Sequence, residues 1–127
     1  WNRRLGGDAG VALILAELGF IAEQRGDVSG ARSLHREGLT AAESTGDPRA
    51  VALALEGLAG ALSLGGENVD AARLLGAAAH TRESVGAPLP LAEGDDLRRA
   101  EARASAALGD EYATWFADGA AFGPPAV

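Results

Sequence analysis

His35 and His80 are the histidines of this chain, and histidine is where acid–base or metal chemistry would first be sought. They fall at non-equivalent places in the sequence, and a zinc site would need further ligands at suitable spacing. Both read as structural or surface residues. Glu93, Asp95 and Asp96 crowd three carboxylates together, but no Asp-x-Asp-x-Asp-Gly loop accompanies them. Acidic residues early in a helix complement its dipole, and that is the role expected here. Leu64-Gly65-Gly66 lacks the Gly-Lys-Ser/Thr ending of a phosphate loop, and no Gly-x-Gly-x-x-Gly follows a strand, so these glycines read as turns. Ser29, Ser33, Ser44, Ser63, Ser84 and Ser105 have no paired base beside them. Tyr112, Trp115, Phe116 and Phe122 form the main aromatic cluster and are expected to seal the last helix against the one before it. No nucleophile–base pair and no metal set emerges, so the expectation is a non-catalytic protein with no cofactor.

The elements that carry these residues follow from composition. Of 127 residues 47% are apolar, enough for one core, but only 5% are aromatic. Ala and Leu dominate and β-branched residues are sparse, which favours helix over sheet. Every basic residue is Arg, and the net charge is −7. An acidic domain repels phosphate backbones, so direct nucleic-acid binding is not expected. With no Cys there is no disulfide framework, which fits a cytoplasmic location. The apolar run Val11–Ala16 is far too short to span a bilayer, and the first 20 residues carry no signal peptide. The chain starts at Trp1 and contains no Met, so it is expected to be a piece of a larger protein.

A repeat organises the chain. Gly26-Asp27-Val28 through Leu34 returns 41 positions on as Glu67-Asn68-Val69 through Leu75. Glu43-Ser44-Thr45-Gly46-Asp47-Pro48 returns 40 positions on as Glu83-Ser84-Val85-Gly86-Ala87-Pro88, which suggests one residue lost inside the second copy. Periods of this size mark stacked helix pairs that cannot bury their apolar faces alone. Three antiparallel pairs are predicted, at about 9–44, 48–85 and 91–121, making six helices in a single domain over 1–127. In the first helix Val11, Leu15, Leu18 and Ala22 form the core stripe, with Asp8 as cap. Asp27, Asn68 and Asp110 are cap candidates for the second, fourth and sixth helices, and Asp47-Pro48 is a strong start for the third. Leu13, Ile14, Phe20 and Ile21 form a second apolar surface on the first helix. That edge is expected to pack on an earlier repeat or to drive self-association into a homodimer.

Leu18-Gly19, Ala22, Gly26-Asp27, Ala31 and Leu34 resemble a tetratricopeptide repeat, with His35 where an aromatic is usual and Gly38 where Ala is usual. Ala71 through Ala78, Arg82, Val85 through Pro90, Ala107-Leu108-Gly109, Tyr112, Phe116 and Gly119 resemble the C-terminal repeat region of large actinobacterial regulators, the LuxR-type and antibiotic-regulatory ATP-binding transcription factors. The resemblance implies a short tetratricopeptide-like α-solenoid that serves regulation, with the ATP and DNA steps carried elsewhere. In such arrays the first helix of each pair lines the concave side. That places Leu13, Ala16, Glu17, Phe20, Glu23 and Gln24 there, with Ala54, Gly57, Leu58, Ala61 and Leu64 as their counterparts. The groove would be apolar and acidic, suited to an apolar or basic protein segment or to another domain of the same chain. The alternative is a domain that encloses a small-molecule inducer.

Overall fold

The structure, a computed structural model, describes residues 7–87 and 94–125. The expected start of the third pair at residue 91 lies outside these residues. The chain is all-α. Its helices are α1 (Gly7–Gln24), α2 (Val28–Thr45), α3 (Pro48–Leu64), α4 (Asn68–Ser84), α5 (Gly94–Leu108) and α6 (Glu111–Phe122), with no strand among the described residues.

Two of the starts are fixed by local chemistry. The Asp27 carboxylate accepts the Gly30 amide at 2.9 Å, and Asp47 accepts the Arg49 amide at 3.0 Å ahead of Pro48. Each bond satisfies an amide that the first helical turn leaves without a partner. The other three caps differ from expectation. The helix α1 is already formed at Gly7, so Asp8 lies inside its first turn. Asn68 is itself the first residue of α4, and Glu67 at the cap position makes no side-chain bond to the helix. Asp110 precedes α6 without a side-chain bond.

The structural period is a uniform 40 residues, which corrects the shift of 41 suggested by the Gly26–Leu34 match. Gly26 and Gly66 both turn the chain at positive φ, +76° and +85°, where a side chain would be strained. The amides after them make the same bonds, Asp27 to the Ala22 carbonyl at 2.9 Å and Glu67 to that of Leu62 at 2.8 Å. The buried positions also coincide. Ala12, Ala16, Gly19 and Ala22 on α1 correspond to Ala52, Glu56, Ala59 and Leu62 on α3. Ala31, His35, Gly38 and Ala42 on α2 correspond to Ala71, Leu75, Ala78 and Arg82 on α4.

This pattern moves the core stripe of α1. Leu18 is 46% exposed, and Val11 and Leu15 are only half-buried, while the inward face is made of Ala12, Ala16, Gly19 and Ala22. Size alone pointed to the leucines. Close packing against α2 selected the small residues, because they let the two backbones approach. The larger core lies one hairpin further on, where Leu55, Leu58, Leu62, Leu74 and Leu75 pack together with Ala104 of α5.

Each of the first four helices packs on the next, and α1 and α5 also contact α3. The third pair breaks this order: α5 and α6 barely touch, and α6 lies along α4 instead. Gly76 and Gly119 make that crossing. A Cβ at Gly76 would sit 1.9 Å from the Phe116 carbonyl oxygen, and one at Gly119 would sit 1.8 Å from that of Arg73. Neither position can carry a side chain unless the helices separate. Arg73 Nε donates to Asp118 Oδ2 at 2.9 Å beside the crossing. The aromatic cluster therefore seals a different joint from the one expected. Tyr112 and Phe116, 5.9 Å apart between ring centroids, pack onto the α3–α4 core, Trp115 is half-buried, and Phe122 is 81% exposed.

Candidate functional site

The principal concavity is a half-open cleft of about 770 Å³. Its walls come from α1 (Ala12, Leu13, Ala16), α2 (His35, Gly38), the start of α3 (Asp47 to Ala50, Leu53 and Ala54), and Arg82 of α4 with the turn that follows it (Val85 to Ala87). The cavity exists because the residues facing it are small. Alanine and glycine at 12, 16, 38, 50 and 54 bring helices together but fill little volume between them. Two of its charged side chains reach solvent: Asp47 holds the start of α3, and Arg49 Nε lies 3.4 Å from Asp47 Oδ1.

His35 forms part of the inner wall and is fully buried. Glycines leave the room for it: a Cβ at Gly19 would lie 2.5 Å from its Cε1, and one at Gly57 would lie 2.3 Å from the same atom. Phe20 meets the ring edge-on, with centroids 4.9 Å apart at 63°. His35 Nε2 lies 3.1 Å from Glu23 Oε2, within hydrogen-bond distance. Nδ1 has no hydrogen-bond partner among the described residues.

Glu23 also reaches Arg103 of α5, its Oε1 lying 3.5 Å from Nη2. Arg103 Nε donates to Ser63 Oγ at 2.9 Å, and its Nη2 donates to the Gly60 carbonyl at 3.2 Å. One network thus ties α1, α2, α3 and α5 together. Arg82, which also lines the cleft, donates from Nε and Nη2 to Glu56 Oε2 and Oε1 at 2.8 and 2.9 Å, with both side chains buried. Desolvating two ions costs several kcal/mol each, and the two parallel bonds are what offset it. Beyond this pair, burial and the negative charge of Glu56 raise the Glu101 carboxyl above the ordinary carboxylate range. Burial, helped by Glu101, pushes the Tyr112 phenol up to about 12.

The residues expected on a concave face are dispersed by the fold. Leu13 and Ala16 line the cleft as expected of a groove, and Ala54 joins them from α3. Glu17 is exposed. Phe20 and Glu23 are turned to His35, so both serve internal packing. Gln24 borders a separate polar notch of about 260 Å³ with Glu23, Asp96, Arg99 and Arg103. Gly57 is buried against His35, Ala61 is wholly buried, and Leu64 is half-buried. Leu58 is 1% exposed in the main core formed by α3, α4 and α5 and offers no surface to a partner. On the expected self-association edge Leu13, Ile14 and Ile21 are exposed, Phe20 is not, and Leu18 joins them.

The buried polar set was missed in the sequence. Glu56 is an isolated charge inside the apolar stretch 51–62, a signal that it needed a buried partner; Arg82, among His80, Thr81, Glu83 and Ser84, carried no such signal. Of the carboxylates read as a helix start, Asp95 and Asp96 sit in the first turn of α5 and pair with Arg98 and Arg99 three residues on. The Arg98 hydrogen bond and charge hold Asp95 below the usual carboxylate range. Glu93 lies outside the described residues. His80 is exposed, and among the described residues no three metal-ligating side chains converge. Also among them, no helix is long and apolar enough to cross a membrane.

No family model, no curated protein and no solved structure matches this chain.

Proposed function

We propose that this chain is a cytoplasmic, non-catalytic binding module of a bacterial transcriptional regulator. Its cleft receives an apolar segment of a partner protein or of another domain of the same regulator, and so biases that domain's state. The observation that carries this reading is the cleft itself: a half-open, alanine-walled channel at the meeting of four helices, with charged groups among its walls. The buried polar groups around it are spent on holding helices, which suits a rigid receptor. A second reading, a small-molecule inducer site, is favoured by the volume, which lies in the range of ligand pockets.

The test places Leu13→Arg and Leu53→Arg on the walls of the cleft in the full-length regulator, with Ala102→Arg on the exposed side of α5 as control. Transcription from the regulator's own promoter is expected to change at least severalfold in the first two variants and not in the third, with circular dichroism unaltered. Unchanged output in both cleft variants would remove the proposal. A rise in melting temperature with one low-molecular-weight compound, lost in Leu53→Arg, would favour the inducer reading.

A further inference from the structure

The turn between α5 and α6 differs in kind from the turns before it. After Gly26, Gly46 and Gly66 the next residue also leaves helical geometry, with ψ of +83° at Asp27, +112° at Asp47 and +67° at Glu67. At Gly109 the break is one residue wide. Gly109 takes φ +58°, yet its amide still donates to the Ser105 carbonyl at 2.8 Å, and Asp110 is already helical at φ −64° and ψ −23°. No side-chain bond from Asp110 fixes the start of α6.

The phase of burial differs as well. Across the turns inside the first two hairpins the flanking inward residues, Ala22 and Ala31 or Leu62 and Ala71, stand nine positions apart, about two and a half turns of helix. Joined into one helix, those halves would face opposite sides. Across Gly109 the buried and half-buried residues Ala100, Ala104, Leu108, Tyr112, Phe116 and Gly119 follow one another at spacings of four and, once, three. They form one unbroken stripe along a single helix.

We propose that Gly109 is a hinge, and that helical φ at this residue fuses α5 and α6 into one helix over 94–122, which delivers α6 to α4 of a second copy of the chain. Little is lost at the hinge, because α6 barely touches α5. Its contacts are with α4 and the core beneath it, through the Gly76–Gly119 crossing, the Arg73–Asp118 bond and the rings of Tyr112 and Phe116. A second copy presents the same surface, so a reciprocal exchange restores these contacts and leaves neither apolar face in water. Glycine balances the two forms, since it accepts the left-handed bend and weakens the straight helix. The inference concerns a joint separate from the cleft and does not depend on the proposed function.

Gly109→Ala isolates the hinge, because a Cβ there meets nothing within 4 Å and acts on φ alone. Sedimentation equilibrium of the full chain is compared for the native protein, Gly109→Ala and Gly109→Asn, the last of which tolerates the left-handed conformation. Gly109→Ala is expected to dimerise with a dissociation constant at least about a hundredfold below that of the native chain, with two hinges changed per dimer, and Gly109→Asn to stay close to the native chain. The chain has no Cys, so Arg73→Cys and Asp118→Cys, made separately with Gly109→Ala, carry one thiol each. Refolded together from urea, the two are joined by a short bis-maleimide only where α6 of one copy lies on α4 of the other. A folded Gly109→Ala chain that stays monomeric overturns the proposal. So does a dimer without the 73–118 cross-link, which puts the contact elsewhere. Should Gly109→Ala not fold, the same two thiols on the native hinge, refolded at rising concentration, decide the matter. A cross-linked yield that rises above that of a Gly10→Cys and Asp118→Cys control supports the exchange, and a yield no greater than the control overturns it.

Discussion

In the first hairpin the polar link between helices is Glu23 to His35; in the second it is Glu56 to Arg82. At the 40-residue period these links do not coincide. Glu23 and His35 correspond to Ser63 and Leu75, and Glu56 and Arg82 correspond to Ala16 and Ala42. The backbone turns and the buried positions are shared, so the geometry of the hairpin does not depend on which polar pair it holds. What differs is the space left over. The second hairpin fills its interior with leucines and a bidentate ion pair, while the first leaves alanines facing a cleft. The unit is therefore specified by turns and small-residue contacts, and the polar pairs give each copy its own character.

The largest effect that would sharpen this contrast comes from writing the first hairpin's residue into the second. Arg82→Ala strands the buried Glu56 carboxylate and is expected to cost about 3–5 kcal/mol in urea unfolding. Replacing Glu56 and Arg82 together by methionine removes the stranded charge and should return most of that loss, because well-packed apolar residues substitute for buried ion pairs at little cost. A double variant as unstable as Arg82→Ala would make the pair essential to the hairpin itself.

The third pair tests where the repeat stops. Gly119→Ala puts a methyl group against the Arg73 carbonyl, and the backbone shift it forces is expected to cost about 3 kcal/mol. The equivalent change at exposed Gly10, where a Cβ meets nothing within 4 Å, should stabilise the chain slightly. A smaller effect separates the two helix starts. Asp27→Ala removes a bonded cap and should cost about 1 kcal/mol, whereas Glu67→Ala removes no capping bond and should cost less. The last contrast is a titration. Tyr112 is the chain's one tyrosine and there is no lysine, so phenolate absorbance reports it cleanly. Its midpoint is expected near 12 in the folded chain. A raised folded value favours the protonated native state, so this contribution to stability is present in full below the ordinary phenol value near 10. It is lost as pH rises from there through 12. A midpoint near 10 would mean that α6 does not bury the ring against the core.

Helices and most of their ends were legible from the sequence because their causes are local. Asp47-Pro48, the Asp27 cap and the glycine at each turn act within a few residues. The register of the repeat was less legible. Ala-rich segments match one another at several shifts, and the turn hydrogen bonds that fix 40 appear only in three dimensions. The face of α1 was misjudged at Leu18 for the same reason, since hydrophobic size does not reveal which side a neighbour's backbone approaches. Part of the cleft was readable in Leu13 and Ala16. The roles of His35 and Glu23 were not, because they depend on Gly19, Gly57 and Arg103 meeting from three other helices.

Leucine stands at the same repeat position in both hairpins, at 18 and at 58, and truncating each in the chain alone provides the most direct measurement. Urea unfolding of Leu18→Ala should differ from the parent by less than about 0.5 kcal/mol, as for an exposed surface position. Leu58→Ala should lose about 2–5 kcal/mol, as for a buried leucine. Equal losses at the two positions would show that the face of α1 is already covered, and would contradict the reading of the first hairpin as an open copy of the second.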